Sequence, residues 1–276
     1  MSSMRWSIGG AAIAIALVAA AVASGAGPWP GLAAGVTASD GSVRYTARTV
    51  GSSTRVAATR VRDGHVLRVA RVKGAFGVPA VTISGVSGGL SADGRTLVLA
   101  QSPSYDAPSS ESRFVVLSTA TLRPVRTIVL RGDFAFDALS PDARTLYLIQ
   151  HRSTSDASYA VRAFDLRAGK LLPKAIVDKS EADQAMRGFP VARATSADGT
   201  WVYTLYRRAN QKPFVHALNT RGRYAVCVDL PRQVADEWIW SAALDLTDGG
   251  ARLVVRLATD ATAFTIDTRT LRVVST

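Results

Sequence analysis

Three stretches of the chain collect carboxylates, an arginine and aromatic rings at close spacing: "RGDFAFD" (131–137), "DKSEADQAMRGFP" (178–190) and "PRQVADEWIW" (231–240). Their chemistry-bearing residues are Asp133, Asp137, Arg187, Phe189, Asp236, Glu237 and Trp238, with Phe134, Phe136 and Trp240 beside them. Aromatic faces hold an apolar or sugar surface, while carboxylates and a guanidinium fix its orientation through charge-assisted hydrogen bonds. That is the composition of a binding face. Asp133 and Asp137 are four positions apart, so strand alternation puts both on one side, where they could flank a cation or a sugar. The plainer reading keeps Asp133 solvated, has Asp137 bond the backbone of a neighbouring blade, and wedges the aromatics between sheets.

Other chemistry is sparse. There is no H-E-x-x-H zinc motif, no P-loop and no calcium-binding D-x-D-x-D-G loop. The three histidines, His65, His151 and His216, are dispersed; His151 ends a strand-like run, where a loop histidine can bind or titrate. No catalytic residue, metal ligand set or cofactor is expected. Cys227, the one cysteine, sits in the apolar run "YAVCVDL" and is expected to be a buried, inert thiol.

The elements that must position these residues repeat. "LSADGRTLVLA" (90–100), "LSPDARTLYLI" (139–149), "TSADGTWVYTLY" (195–206) and the weaker "LTDGGARLVVRL" (246–257) place Asp93, Asp142, Asp198 and Asp248 at successive steps of 49, 56 and 50 positions. Each copy reads as an apolar stretch, a Ser or Thr, an Asp-containing tight turn and a β-rich run: one strand in and one strand out. A second hairpin pattern follows each, as in "RFVVLSTATLRPVRTIVL" (113–130) and "FVHALNTRGRYAVCVDL" (214–230). Runs such as "TLVLA" are apolar on both faces, which suits sheets covered on each side by neighbours. Four strands in about 50 residues, repeated, predict an all-β, five-bladed β-propeller of four-stranded antiparallel blades, near 42–84, 86–130, 134–177, 190–230 and 238–276. A two-sheet β-sandwich is the competing architecture. In a propeller the three acidic and aromatic stretches are the returns from one blade to the next, and they gather on one rim.

The chain's ends and charge bound its setting. Arg5 precedes the uncharged run from Ile8 to Ala23, too short for a spanning helix and followed by small residues. This predicts a signal peptide over 1–26 and a linker over 27–41, with an uncleaved anchor as the alternative. One cysteine means no internal disulfide, so core burial must hold the fold. The net charge is +12, and 28 of the 33 basic residues are arginine. Between Arg44 and Lys73 the basic residues Arg44, Arg48, Arg55, Arg60, Arg62, Arg68, Arg71 and Lys73 face only Asp63. An anionic surface polymer or a membrane surface could dock there; without interleaved aromatics nucleic acid is not expected. The competing reading is a solvated edge kept basic to block aggregation.

The segments "LSADGRTL", "LSPDARTLYLI", "FVVLSTATL" and "VRAFDLRAGKLL" resemble YVTN-type propeller repeats. With "GGLSADGRTLVL", "LRGDFAFDALSPDARTLYLIQ" and "MRGFPVARATSADG", the region 40–276 also resembles exported propeller proteins of high-GC Gram-positive bacteria. The resemblance implies the fold and an extracytoplasmic location, and it carries no reaction. The resulting expectation is an exported binding or scaffold module of the cell envelope or extracellular space, meeting an unknown protein or small ligand at its return face. The alternative is an extracytoplasmic hydrolase or lactonase-like enzyme working at the channel mouth.

Overall fold

The computed structural model describes residues 30–102, 108–152, 157–178, 186–257 and 262–275. The expected signal segment lies outside them. The described chain is almost entirely β. Successive antiparallel sheets form in chain order, each from consecutive strands. The first comprises Val36–Thr37, Val43–Val50, Ser53–Arg60 and Val66–Lys73. The second comprises Thr96–Ala100, Glu111–Ser118 and Pro124–Arg131, with Leu90 bridging Leu97 on its inner edge. The third runs Phe134–Leu139, Thr145–His151, Ser158–Asp165 and Lys170–Ile176, with Met186–Arg187 paired to the start of the 158–165 strand. The fourth runs Phe189–Thr195, Trp201–Arg207, Phe214–Asn219 and Tyr224–Asp229, and the last Ala243–Thr247, Arg252–Arg256, Thr262–Asp267 and Arg272–Ser275.

Sheets that follow one another in the chain bury their facing sides against each other. In the strand 96–100, Leu97 and Leu99 pack on Val56 and Val72 of the first sheet, while Val98 and Ala100 pack with Leu146 and Leu148 of the third. This alternation explains why the strand is apolar at every position from Leu97 to Ala100. Tyr147, Val161, Val202 and Phe214 join the third sheet to the fourth, and Leu205, Val215, Leu253 and Phe264 join the fourth to the last. Each fully buried leucine or phenylalanine contributes about 1.5–3 kcal/mol of transfer free energy, so these interfaces rather than turns hold the sheets in order.

The repeated turn is a defined set of hydrogen bonds. Ser91, Ser140 and Ser196 each donate a hydroxyl to the aspartate two residues on, Asp93, Asp142 and Asp198, at 2.6 Å. Each serine oxygen also accepts the amide five residues on, from Thr96, Thr145 and Trp201 at 3.0, 2.9 and 2.9 Å. Asp248 departs from this. The hydroxyls of Thr119, Thr220 and Thr268 donate to the carbonyls of Gly94, Gly199 and Gly250, which aligns Gly249, not Asp248, with Asp93 and Asp198. Asp248 takes a positive φ of 52° in a short 3-10 turn. A further copy of the turn lies at Ala38–Val43, where Gly41 N–H donates to Ala38 O at 2.8 Å and Ser42 N–H to Asp40 at 2.9 Å.

Two expected boundaries are therefore corrected. The linker does not reach residue 41, because Val36–Thr37 already pairs with Arg44–Tyr45 as the inner strand of the first sheet. Residues 78–84 do not close that sheet. Val78–Pro79 pairs with Leu32–Ala33, and Gly77 bridges Ala100 of the second sheet. The cause is the turn at Gly74, whose φ of +105° redirects the chain. The Thr54 hydroxyl donates to Gly74 O at 2.7 Å and accepts Phe76 N–H at 2.8 Å. The same device recurs at the next return, where Ser112 donates to Gly132 O and accepts Phe134 N–H, both at 2.8 Å, with Gly132 at φ +108°.

The inner edges of the first four sheets meet at a common channel. Val36, Gly89, Ala138 and Thr195, from four different sheets, line one cavity of about 270 Å³ on the face of the serine–aspartate turns. Sheets arranged radially around a channel are a β-propeller. A strap, residues 80–88, crosses from the second sheet to the fourth: Ile83 N–H donates to Pro190 O at 2.9 Å and Ser84 Oγ to Val191 O at 3.2 Å. Gly88 is required there, since a Cβ would lie 2.7 Å from the Phe136 ring.

Candidate functional site

The residues singled out in the sequence separate into a buried group in the channel and an exposed group on the return rim. Asp137 sits at a register shift between Phe136 and Ala138, a β-bulge that breaks alternation and re-aims its side chain. Asp133 and Asp137 therefore do not act together. The Asp137 carboxylate pairs with Arg193 of the fourth sheet, and Arg193 Nη1 donates to the Asp137 carbonyl at 2.6 Å. Both side chains are nearly inaccessible, 8% exposed for Arg193 and 6% for Asp137. Asp133 is buried rather than solvated, with its carboxylate 3.3 Å from His151 Nδ1 and its carbonyl accepting the His151 amide at 2.9 Å. Phe134 and Phe136 are buried between sheets.

Around the Asp137–Arg193 pair the interior is polar and aromatic. The rings of Tyr159 and Tyr206 stack at 5.0 Å, and Tyr206 lies 5.2 Å from Phe214 and 6.2 Å from His216. Burial raises the pKa of both tyrosines and lowers that of His216 from 6.5 to about 4. His216 is thus a neutral core histidine at physiological pH. Asp137, Arg193 and Val81 border both the 270 Å³ channel cavity and a second void of about 10 Å³ beneath it, lined also by His151, Tyr159 and Pro30. The second void has room for about one water. The ion pair and the strap form a partition across the channel.

The open cavity lies on the face of the tight turns, opposite the return rim where the sequence places the expected site. Small residues at those turns, Ser91, Ala92, Ser196 and Ala197, leave the space. Ser87 lines it within "GVSGG", the spacing of a nucleophile elbow. An elbow needs a strand, a sharp turn and a helix. Here Ser87 bridges Ala80 and the chain runs on into the inner edge of the second sheet. Ser87 thus lines the cavity without the backbone geometry of an elbow.

On the return rim, Phe189 of the fourth sheet meets Trp240 at the start of the last, with ring centroids 6.4 Å apart. The Arg207 guanidinium lies 5.1 Å from the Trp240 centroid. Trp240 is 40% exposed and Trp238, in the short helix Asp236–Ile239, is 45% exposed. Arg187 is exposed and pairs through its backbone with Ser158. Asp236 and Glu237 belong to the same short helix, and their side chains lie outside the described residues, as does the segment 179–185. Cys227 is half-buried rather than buried. Among the described residues no group of three His, Cys, Asp or Glu is placed to hold a metal, and no helix is long and apolar enough to cross a membrane.

No protein-family model matches the chain, and no curated protein matches it in sequence. Solved structures do resemble it. A functionally unknown protein from Desulfotomaculum acetoxidans superposes with a TM-score of 0.54 at 12% identity, covering 88% of this chain and 68% of that one. A chain of the mitotic checkpoint complex superposes at 0.52 and 13% identity, covering 88% and 64%. The β-propeller domain of Cps50 (Swd1) from Myceliophteria thermophila superposes at 0.49 and 12% identity, covering 83% and 62%. This chain thus spans somewhat under two thirds of the latter two. At such identities the likeness concerns the fold alone.

Proposed function

We propose that the chain is an exported five-bladed β-propeller of YVTN-repeat type that serves as a binding or scaffold module of the cell envelope or extracellular space, docking a protein partner on its return rim. Five successive sheets, four of them opening on a copy of the same aspartate turn, support the blade count. The basic start and short apolar run before residue 24 support export.

The observation that carries the binding reading is the pair of exposed tryptophans, Trp238 and Trp240, with Phe189 and Arg207 against the second. Tryptophan and arginine dominate the energetic centres of protein interfaces, and exposed apolar surface on large rings marks interaction sites. The other half of the expected site, Asp133 and Asp137, is engaged by His151 and Arg193 inside the protein.

The experiment is cross-linking in the native host with a tagged full chain, comparing wild type with Trp238→Ala/Trp240→Ala. Recovery of the cross-linked partner should fall at least about thirtyfold while the thermal midpoint stays put. Equal recovery from both proteins removes the binding reading. N-terminal sequencing of the same material tests export, with a mature start expected between Ser24 and Gly27. An intact Met1 in the membrane fraction replaces the cleaved signal with an anchor.

A further inference from the structure

The first sheet has one face packed on the second sheet and one face that carries charge in ordered rows. Arg48, Arg55 and Arg71 are Cα partners across three neighbouring strands. Cα partners project to the same side of a sheet, so the three guanidinium groups stand abreast at the strand spacing of about 4.8 Å. The next row, toward the hairpin, is Val50, Ser53 and Lys73; the row on the other side is Thr46, Ala57 and Val69. The packing side chains, Val56 and Val72, alternate with these and point the other way.

All three arginines and Lys73 are exposed. Asp63 is the one acidic residue between positions 44 and 73, and it is held by Arg60 at 2.9 Å and Arg62 at 3.5 Å. Like charges directly opposite each other destabilise a sheet. Protection of a sheet edge accounts for charge on the outermost strand, at Arg71 and Lys73, but not for Arg48 and Arg55 on the strands inside it. A row of three cations kept abreast at a cost in stability needs an external anion.

We infer that this face binds a linear polymer of repeated phosphate groups, laid across the strands so that successive phosphates meet Arg71, Arg55 and Arg48. A guanidinium fork pairs bidentately with phosphate, and the free oxygens of a phosphate meet a fork whichever way the polymer chain is rotated, whereas a carboxylate offers one edge. A bilayer would favour interfacial aromatic anchors, and these rows contain no Trp, Tyr or Phe. A nucleic acid would favour aromatic stacking platforms, which the rows lack as well. The site is independent of the return-rim tryptophans.

The test uses the full chain and long-chain polyphosphate as probe, with binding followed by anisotropy over a range of salt. Arg48→Thr/Arg55→Thr/Arg71→Thr should weaken binding about tenfold and lower the slope of log K against log salt by about 2. The control Arg95→Thr/Arg123→Thr/Arg269→Thr, with the same loss of net charge at scattered exposed positions, should bind like wild type. Arg48→Lys/Arg55→Lys/Arg71→Lys keeps the charge without the fork and should fall between; it also decides the matter if the threonine variant does not fold. Orthophosphate at equal phosphate concentration should not compete. Equal losses in the threonine and control variants, full affinity in the threonine variant, or no polyphosphate binding at all would overturn the inference. So would tighter binding of anionic phospholipid vesicles or of single-stranded oligodeoxythymidylate than of polyphosphate.

Discussion

Arg193 reaches from the fourth sheet to hold Asp137 of the third twice, by its carboxylate and by its main-chain carbonyl, with both side chains shut off from water. The pair couples two sheets at the level where the channel is partitioned. Removing one partner strands the other charge in the interior. Asp137→Ala or Arg193→Met should each cost about 3–5 kcal/mol in urea unfolding, and the double variant Asp137→Leu/Arg193→Met should cost much less than their sum. Additive losses would mean that the two side chains do not depend on each other.

The serine–aspartate turns predict an acid effect of definite sign. Hydrogen bonds from Ser196 and Thr200 lower the Asp198 pKa from 3.8 to about 2. A carboxyl group whose folded pKa is depressed contributes stability above its unfolded pKa and loses it as pH falls through the folded one. The difference in thermal midpoint between wild type and Asp198→Asn should therefore be full above about pH 4 and shrink toward pH 2. Asp248→Gly, at a positive φ and outside the hydrogen-bond set, should be neutral or mildly stabilising at every pH.

Thr54 and Ser112 perform one task at two successive returns, so their variants should match. Thr54→Val and Ser112→Ala each orphan a buried amide, that of Phe76 or Phe134, and should each cost about 1–3 kcal/mol by denaturant unfolding. Restoring the hydroxyl with Ser112→Thr should recover most of it. If one variant is silent and the other severe, the returns are not equivalent.

His216 gives a second pH window. Its folded pKa is about 4 against 6.5 unfolded, because burial penalises the cation. The unfolded chain binds the proton more readily, so stability is full above about pH 6.5 and declines as pH drops toward 4. His216→Phe should abolish that decline while preserving the tilted ring contact with Tyr206. A resonance assigned to His216 that titrates near 6.5 in the native protein would contradict this assignment.

Elements built from adjacent residues were legible and elements built across the fold were not. The spacing Ser-x-Asp closes its own turn, so Asp93, Asp142 and Asp198 announced themselves. The copy at Asp40 was hidden because Ala38 stands where the others have a hydroxyl. The copy at Asp248 was misaligned by one residue for want of the same spacing. The Gly74 and Gly132 returns went unread, since each depends on a hydroxyl 20 residues upstream. Alternation misplaced Asp137 because a bulge cannot be seen in a polar–apolar pattern. Its partner Arg193 is 56 residues away, and nothing local marks it. The exposed tryptophans were found in sequence but their exposure was not, because an aromatic at a sheet edge packs or protrudes according to its neighbours.

Among the described residues each of the five larger sheets takes its ladder strands from consecutive stretches of chain, and the last sheet shares no strand with the first. Assembly can therefore proceed in the order in which the polypeptide emerges, each sheet collapsing onto the one already made while its loops are still short. The exception is Leu32–Ala33, which must wait for Val78–Pro79 before it has a partner. Pulse-labelled hydrogen exchange during refolding should show protection of the interior ladders preceding that of Leu32 and Ala33. The interior of each sheet can thus be complete before the next one is added, so a late error leaves the earlier sheets intact.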